Sequence, residues 1–472
     1  MIPIRAYQGT RVAVLGLGRT GMATAKALAA GGAEVSPWDD DAAKREGAEA
    51  AGLILDDLYA RDWGDCGALV ISPGIAHTLP KPHPIAAMAK AVGVPIINDI
   101  TLLGEAFAKD PHAQVIGVTG SNGKSTTCAL IAHILSQAGL DVQLGGNIGR
   151  AVLDLDPPKP GRVYVLELSS YQLELADNLQ CQVAVLTNLS PDHLERHGDM
   201  AGYVAAKAHI FTQSGPDDGV ILGMDDVMSQ TLYTKLRNRR LKPRPVSAKK
   251  VLGDGVSVLG GKLYDAALGR SQHVLSLNGH PSLEGRHNGQ NVGIAYSVAR
   301  TLHIRPDVIK AAIASFKGLA HRQERLAPID RVAFINDSKA TNGAAASQAL
   351  QRFRDIFWIL GGEAKSDGVE ATLAHLQSVR AAYVYGRDAR KLIKQLGQSL
   401  PLVQCRSLED ATQRAFDDGL ASSYEAPTVL LSPACASFDQ FANFEARGAA
   451  FKAHVEILRQ AYQGASAMER TS

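Results

Sequence analysis

The chain has 472 residues, more than one hydrophobic core usually supports, so two or three domains are expected. With 46% hydrophobic and 20% charged residues and a formal net charge of +2, it groups with globular proteins, not with disordered or nucleic-acid-coating chains. Its five cysteines, Cys66, Cys128, Cys181, Cys405 and Cys435, lack CxxC spacing, which argues against a disulfide framework and a structural zinc site.

The opening residues lack the apolar segment of a secretion signal, and no apolar run approaches the roughly 20 residues that span a bilayer. A cytoplasmic setting with no membrane or nucleic-acid partner is expected. Three stretches then repeat one pattern: a short β-branched run, a polar or Gly-rich turn, and a helical period. That pattern predicts an α/β chain of parallel units. The first stretch places strands at 11–15, 34–37, 68–71 and 94–97 and ends near Leu102. After the first strand, Gly16, Gly18 and Gly21 complete GxGxxG, with Asp39 at the end of the second strand. A dinucleotide site fits this spacing. So does the pyrophosphate of any nucleotide, a UDP-sugar included, held by Gly18, Arg19 and Thr20, with Asp39 also on the ligand and Ser72, Pro73 and Gly74 lining the crevice. A purely structural glycine turn fits as well.

The second stretch, 103–318, opens with a strand at 114–118 that runs into Gly120, Ser121, Asn122, Gly123, Lys124, Ser125 and Thr126, followed by a helical pattern over 127–138. Strand, glycine loop, Lys-Ser and helix are the parts of a phosphate loop. Backbone N–H groups converge on phosphate oxygens, the lysine bridges β- and γ-phosphates, and the serine ligates Mg²⁺. The general pattern wants glycine at 118, where this chain has Val118, so the loop is a variant. Buried parallel strands are predicted at 162–168 and 183–189. Glu167 closes the first of these, where propensity gives no reason for an acid; it reads as a metal ligand, or else as a solvated loop acid. His193 alone reads as a structural histidine. Lys207, in a helical pattern over 201–213, alone reads as a solvated lysine. Asn147 lies in a Gly-rich turn, and Asn288 and Asn291 suit a polar helix entry. The segment 231–250 holds eight Lys or Arg and no acid, which reads as a solvated insertion or hairpin edge rather than an anionic-surface patch.

The third stretch, 319–472, places strands at 331–335, 356–360, 381–385 and 428–431. Each ends in polar residues, where open parallel sheets bind ligands.

The phosphate-loop variant, the segment LELSSYQLE ending at Glu174, Asp192-His193, His321-Arg322, the segment NDSKATN ending at Asn342, and SPACAS ending at Ser437 together resemble the Mur ligase family. They stand in the family's order across nearly the whole chain. The segment ASFDQFANFEARG is more specific than any glycine loop, and no DNPR-type motif of the diaminopimelate- or lysine-adding relatives is found. The resemblance is nearest to the branch that adds D-glutamate to UDP-N-acetylmuramoyl-L-alanine, with ATP consumed through an acyl phosphate in peptidoglycan precursor synthesis.

It implies three domains: a Rossmann-like UDP-sugar domain at 1–102, a central phosphate-loop domain at 103–318 and a Rossmann-like amino-acid domain at 319–472. It further implies Lys124, His193 and Lys207 as catalytic residues, and Mg²⁺ at two sites drawn from Ser125, Glu167, His193 and a carbamylated Lys207. Asn147 would face the substrate, Asn288 and Asn291 the adenine, Arg322 an ATP phosphate and Asp337 the ribose. D-Glutamate would meet Thr341, Lys365, Ser437 and Phe444, with Lys339 and Asn443 nearby. A monomer is expected. Glu195, where the family more often has aspartate, and the GGEAK loop ending at Lys365 depart from the family pattern.

Overall fold

The structure, a computed structural model, describes all residues except 109, 267–269, 281, 284, 366–367 and 470–472, and leaves aside the side chains of 465–469. The chain forms two compact units, Met1–Phe316 and Lys317–Ser472. Among the described residues the strands make three sheets.

The first unit begins with β1 (Arg11–Leu15), β2 (Glu34–Trp38), β3 (Cys66–Ile71) and β4 (Ile96–Ile97), ordered β2-β1-β3-β4. All pair in parallel. Helices cover both faces of such a sheet, so β1 is apolar and buried from Val12 to Leu15. β1 turns sharply at Gly16 (φ 94°) into the helix Arg19–Ala30. A Cβ on Gly21 would collide with the Gly16 carbonyl oxygen, so this glycine exists for close helix–strand packing. Gly21→Ala is expected to destabilise the first unit by about 3 kcal/mol, the scale of an overpacked backbone contact; a midpoint in urea unchanged from the parent would contradict the assignment.

The expected boundary near Leu102 falls inside a helix, Asp99–Phe107. Its cap Asn98 donates Nδ2 to Gln172 O at 2.6 Å, and Thr101 Oγ1 donates to Leu175 O at 2.6 Å. Leu102 and Leu103 are buried in a cluster that also holds Val12, Leu28, Leu153, Tyr164 and Leu186. The junction is therefore packed, not a loop.

The second sheet comprises β5 (Gln114–Thr119), β6 (Asp141–Gly146), β7 (Arg162–Glu167), β8 (Val183–Leu186), β9 (Gly219–Gly223), β10 (Arg244–Ser247), β11 (Val256–Leu259), β12 (Lys262–Asp265) and β13 (Gln272–Ser276). Its order is β13-β12-β11-β10-β9-β8-β5-β7-β6, parallel except along β11-β12-β13. The basic segment 231–250 finishes the helix Val227–Asn238 and enters β10. Arg239 reaches Phe211 O at 3.1 Å, Arg244 clasps Asp265 and Lys249 donates to Asp225 O at 2.6 Å, so part of its charge is structural.

The second unit holds β14 (Glu324–Arg325), β15 (Ala333–Asn336), β16 (Ile356–Gly361), β17 (Val379–Tyr385), β18 (Leu402–Gln404) and β19 (Thr428–Leu431), ordered β14-β15-β19-β16-β17-β18. Only β14 runs antiparallel. Apolar residues fill both faces around Trp358 and Phe334. No described helix is long and apolar enough to cross a membrane.

Candidate active site

β5 flanked by β7 and β8 sets the phosphate loop. Val118, where the general motif wants glycine, is a buried strand residue paired with Glu167 and Val185, so the turn begins only at Gly120. Gly120 (φ 141°) and Gly123 (φ 81°) carry the turn, and a side chain on either would collide with Thr187 Oγ1 or Asn291 Oδ1. The segment after β8 anchors the loop. Ser121 N donates to Asn188 O at 2.9 Å, Ser121 Oγ to Ser190 O at 2.9 Å, Thr187 Oγ1 to Asn122 O at 2.6 Å and Asn122 N to Asn188 Oδ1 at 3.0 Å. Lys124, Ser125 and Thr126 open the helix Lys124–Gln137, whose N-terminus supplies positive potential.

Two lysines share one carbonyl of this loop. Lys124 Nζ donates to Gly120 O at 2.8 Å and to Ser121 O at 2.9 Å, and Lys207 Nζ donates to Gly120 O at 3.0 Å. Lys207 is 2% exposed, with its ammonium 4.6 Å from the Tyr203 ring centroid. The residue-level reading of a solvated helix lysine is overturned, because the helix Met200–Ala208 turns this face inward. Burial, reinforced by Lys124, pushes the Lys207 amine down to about 7 despite Asp192 and Glu167.

Glu167, 2% exposed, stands at the end of β7. Its Oε1 accepts from Asn147 Nδ2 at 2.6 Å, while Oε2 is buried with no hydrogen-bond partner. An orphaned carboxylate oxygen beside a phosphate loop fits a hard cation, and the alternative of a solvated acid is excluded. Asn147, expected on the substrate side, here holds Glu167. His193 adopts a left-handed backbone (φ 53°), with Nδ1 2.9 Å from Tyr171 Oη and Nε2 3.4 Å from Asp192 Oδ2. No three His, Cys, Asp or Glu side chains converge among the described residues.

Asn288 and Asn291 do not cap their helix, whose N-cap is Gly285. Both are buried inside Arg286–Thr301: Thr127 Oγ1 donates to Asn291 Oδ1 at 3.3 Å and Asn291 Nδ2 to Asn288 Oδ1 at 3.2 Å. They brace the phosphate loop from below.

In the first sheet, Gly18, Arg19 and Thr20 form the uncapped start of a helix beside the end of β3. Ser72 Oγ donates to Gly16 O at 2.9 Å, next to Pro73 and Gly74. Asp39 accepts from Leu17 N at 2.7 Å and Asp41 N at 2.9 Å, so its carboxylate clamps the glycine loop from within.

In the second unit the strand ends gather the remaining predicted residues. Asp337, 4% exposed after β15, accepts from Ser432 Oγ at 2.9 Å and Gln323 N at 3.1 Å. Burial pushes its carboxyl up to about 7. Arg322 is exposed nearby and lowers that carboxyl electrostatically. Lys339 Nζ sits 4.0 Å over the Phe444 ring, so Phe444, half-buried at the start of the last helix, is no core residue. Ser437 is buried, Thr341 is half-buried, Lys365 is exposed, and Asn443 Oδ1 accepts from Ala446 N at 2.7 Å.

Residues 118–299 match the family described as Mur ligase middle domain, and residues 321–435 match Mur ligase, glutamate ligase domain. The chain is 47% identical over 463 residues to a protein of Caulobacter sp. (strain K31) named UDP-N-acetylmuramoylalanine--D-glutamate ligase, covering 97% of this chain and 98% of the relative. A protein of the same name from Cereibacter sphaeroides (strain KD131) is 47% identical over 470 residues, covering 97% and 100%. The chain belongs to the Mur ligase family. The fold of this Mur ligase is also that of UDP-N-acetylmuramate-alanine ligase MurC from Thermotoga maritima, with a TM-score of 0.58 at 17% identity over 96% of this chain and 99% of the other. MurF from Acinetobacter baumannii matches with a TM-score of 0.52 at 18% identity over 72% and 78%.

Sequence reasoning missed several residues of this Mur ligase that organise the site. Tyr203, 1% exposed, lies 3.0 Å by its Oη from Ser121 Oγ and forms the floor under Lys207. Arg196 grips Glu174 and donates to Ile75 O at 3.1 Å. Arg447, fully buried, donates from Nε to Ser338 Oγ at 3.0 Å and from Nη2 to Ser338 O at 2.9 Å, tying the last helix to the end of β15. Tyr203 lies at helical spacing from Lys207, and Arg447 is the next-to-last residue of the ASFDQFANFEARG segment. Those positions were the only available signals.

Proposed function

We propose that the chain ligates D-glutamate to UDP-N-acetylmuramoyl-L-alanine at the expense of ATP, acting in the cytoplasm as a monomer. The observation that carries the reading is the meeting of Lys124 and Lys207 on the Gly120 carbonyl, beside a Glu167 carboxylate with one unsatisfied oxygen. Such a site handles phosphoryl charge and little else.

The loop N–H groups and Lys124 hold the β- and γ-phosphates of ATP. The alanyl carboxylate attacks the γ-phosphorus, ADP leaves, and the amine of D-glutamate displaces phosphate from the acyl phosphate, losing its proton as it does so. Ser125 and Glu167, and His193 with a carbamylated Lys207, would hold Mg²⁺, which would neutralise the transferred charge. Residues 1–102 serve the uridine diphosphate through Gly18, Arg19, Thr20, Ser72, Pro73 and Gly74, residues 103–318 serve ATP, and residues 319–472 serve D-glutamate through Lys339, Thr341, Lys365, Ser437, Asn443 and Phe444. Asp39 acts by holding the first glycine loop.

Phosphate release is expected only when UDP-N-acetylmuramoyl-L-alanine, D-glutamate, ATP and Mg²⁺ are all present. Turnover that persists without D-glutamate, or that accepts L-glutamate equally, defeats the reading. Asp337, assigned to the ribose, accepts hydroxyls best when ionised. Its carboxyl titrates near 7, so the protonated fraction grows as pH falls through that value. The KM for ATP is expected to rise about tenfold between about pH 8 and about pH 6, as the ionised fraction falls. Asp337→Asn should raise KM and flatten that dependence; a variant profile that keeps the parent slope removes Asp337 from the ribose.

A further inference from the structure

We infer that Tyr171 is a positioning residue that holds the His193 ring through Nδ1, accepting from Nδ1–H when Nε2 meets a divalent cation. The inference rests on the reading of His193 as a metal ligand.

Tyr171 lies in the short helix Ser170–Leu173 that follows β7, and His193 follows β8, so the pair joins the ends of the two strands flanking β5. Tyr171 Oη is 2.9 Å from His193 Nδ1, with ring centroids 4.8 Å apart. The phenol is held firmly. The Arg196 guanidinium sits 5.4 Å from its ring centroid and is itself fixed to Glu174 and to Ile75 O, while His197 stacks on the same ring at 5.8 Å.

A neutral imidazole carries one proton on its two nitrogens. If Nδ1–H donates to Tyr171 Oη, Nε2 keeps a free lone pair. If Tyr171 donates instead, the proton sits on Nε2, pointing at Asp192, and coordination is blocked. Nε2 and Asp192 Oδ2 are 3.4 Å apart, close to the roughly 3 Å that separates adjacent ligands each about 2.1 Å from one small cation. A cation there therefore selects the arrangement in which Tyr171 accepts. Glu195 Oε1, 3.9 Å from Nδ1, is the competing acceptor and lies too far to fix the ring alone. Ligating histidines generally depend on such a partner at the other ring nitrogen.

The test uses the full chain with a non-hydrolysable ATP analogue. With ¹⁵N-labelled histidine and saturating Mg²⁺, the His193 signals are expected to show Nδ1 protonated and Nε2 bare. Tyr171→Phe keeps the ring packing, and thermal denaturation checks that it folds. Its affinity for Mn²⁺, read by electron paramagnetic resonance, should weaken about tenfold or more, and its His193 should shift toward the Nε2–H form. Two results overturn the inference: Nε2–H in the parent at saturating Mg²⁺, or unchanged Mn²⁺ affinity in Tyr171→Phe while His193→Ala loses it. If His193→Ala also leaves Mn²⁺ affinity unchanged, His193 is no ligand and the parent reading fails with the inference.

Discussion

Lys207→Ala is expected to lower turnover about 10³-fold, the scale of removing a preorganised charge from the transition state, and formate or acetate should restore part of it. Lys207 is buried beneath the phosphate loop and shares Gly120 O with Lys124. Two ammoniums on one carbonyl repel, and burial adds its own penalty, so the Lys207 amine falls to about 7. A free lysine near 10.4 offers almost no neutral amine at neutral pH, whereas this one offers a large fraction. Only the neutral amine attacks CO₂, forming a C–N bond, releasing a proton and leaving a carbamate. The change converts a cation that repels Mg²⁺ into an oxygen donor that binds it. Loading should fall as pH drops below about 7, because the amine is then protonated. A small carboxylate fills the space left in the alanine variant with the same oxygens. The claim fails if neither formate nor acetate restores activity and ¹³CO₂ produces no carbamate signal in the parent.

Lys124→Ala should reduce kcat about 10³-fold, or about 4 kcal/mol of transition-state stabilisation at 1.36 kcal/mol per tenfold. In this structure Nζ is folded back onto Gly120 O and Ser121 O, so the lysine is stored against the loop whose phosphate it is to meet. Lys124 also helps to depress the Lys207 amine. Removing it should therefore raise Lys207 toward its ordinary value and reduce carbamate loading at neutral pH. The two effects separate experimentally: ¹³CO₂ loading reports on Lys207, and ATP-analogue affinity reports on the phosphate contact. A Lys124→Ala enzyme within tenfold of the parent turnover would remove the lysine from phosphoryl transfer.

The sequence by itself determined the parts whose signals are local. The periodicity of β1, β5, β7, β16 and β19, the glycines at 120 and 123 and the Lys-Ser after them are legible because backbone conformation and strand burial constrain residue type within a few positions. Family motifs carried the rest of the site. Tertiary structure alone decided what depends on distant neighbours. Lys207 reads as a surface lysine until the loop carbonyl, Tyr203 and Lys124 surround it. Asp39 reads as a ligand acid until Leu17 N and Asp41 N occupy it. The helix Asp99–Phe107 reads as a boundary until Asn98 and Thr101 bond to residues 172 and 175. Titration and hydrogen bonding are set by distance and burial, and the sequence records neither between residues that the fold alone brings together.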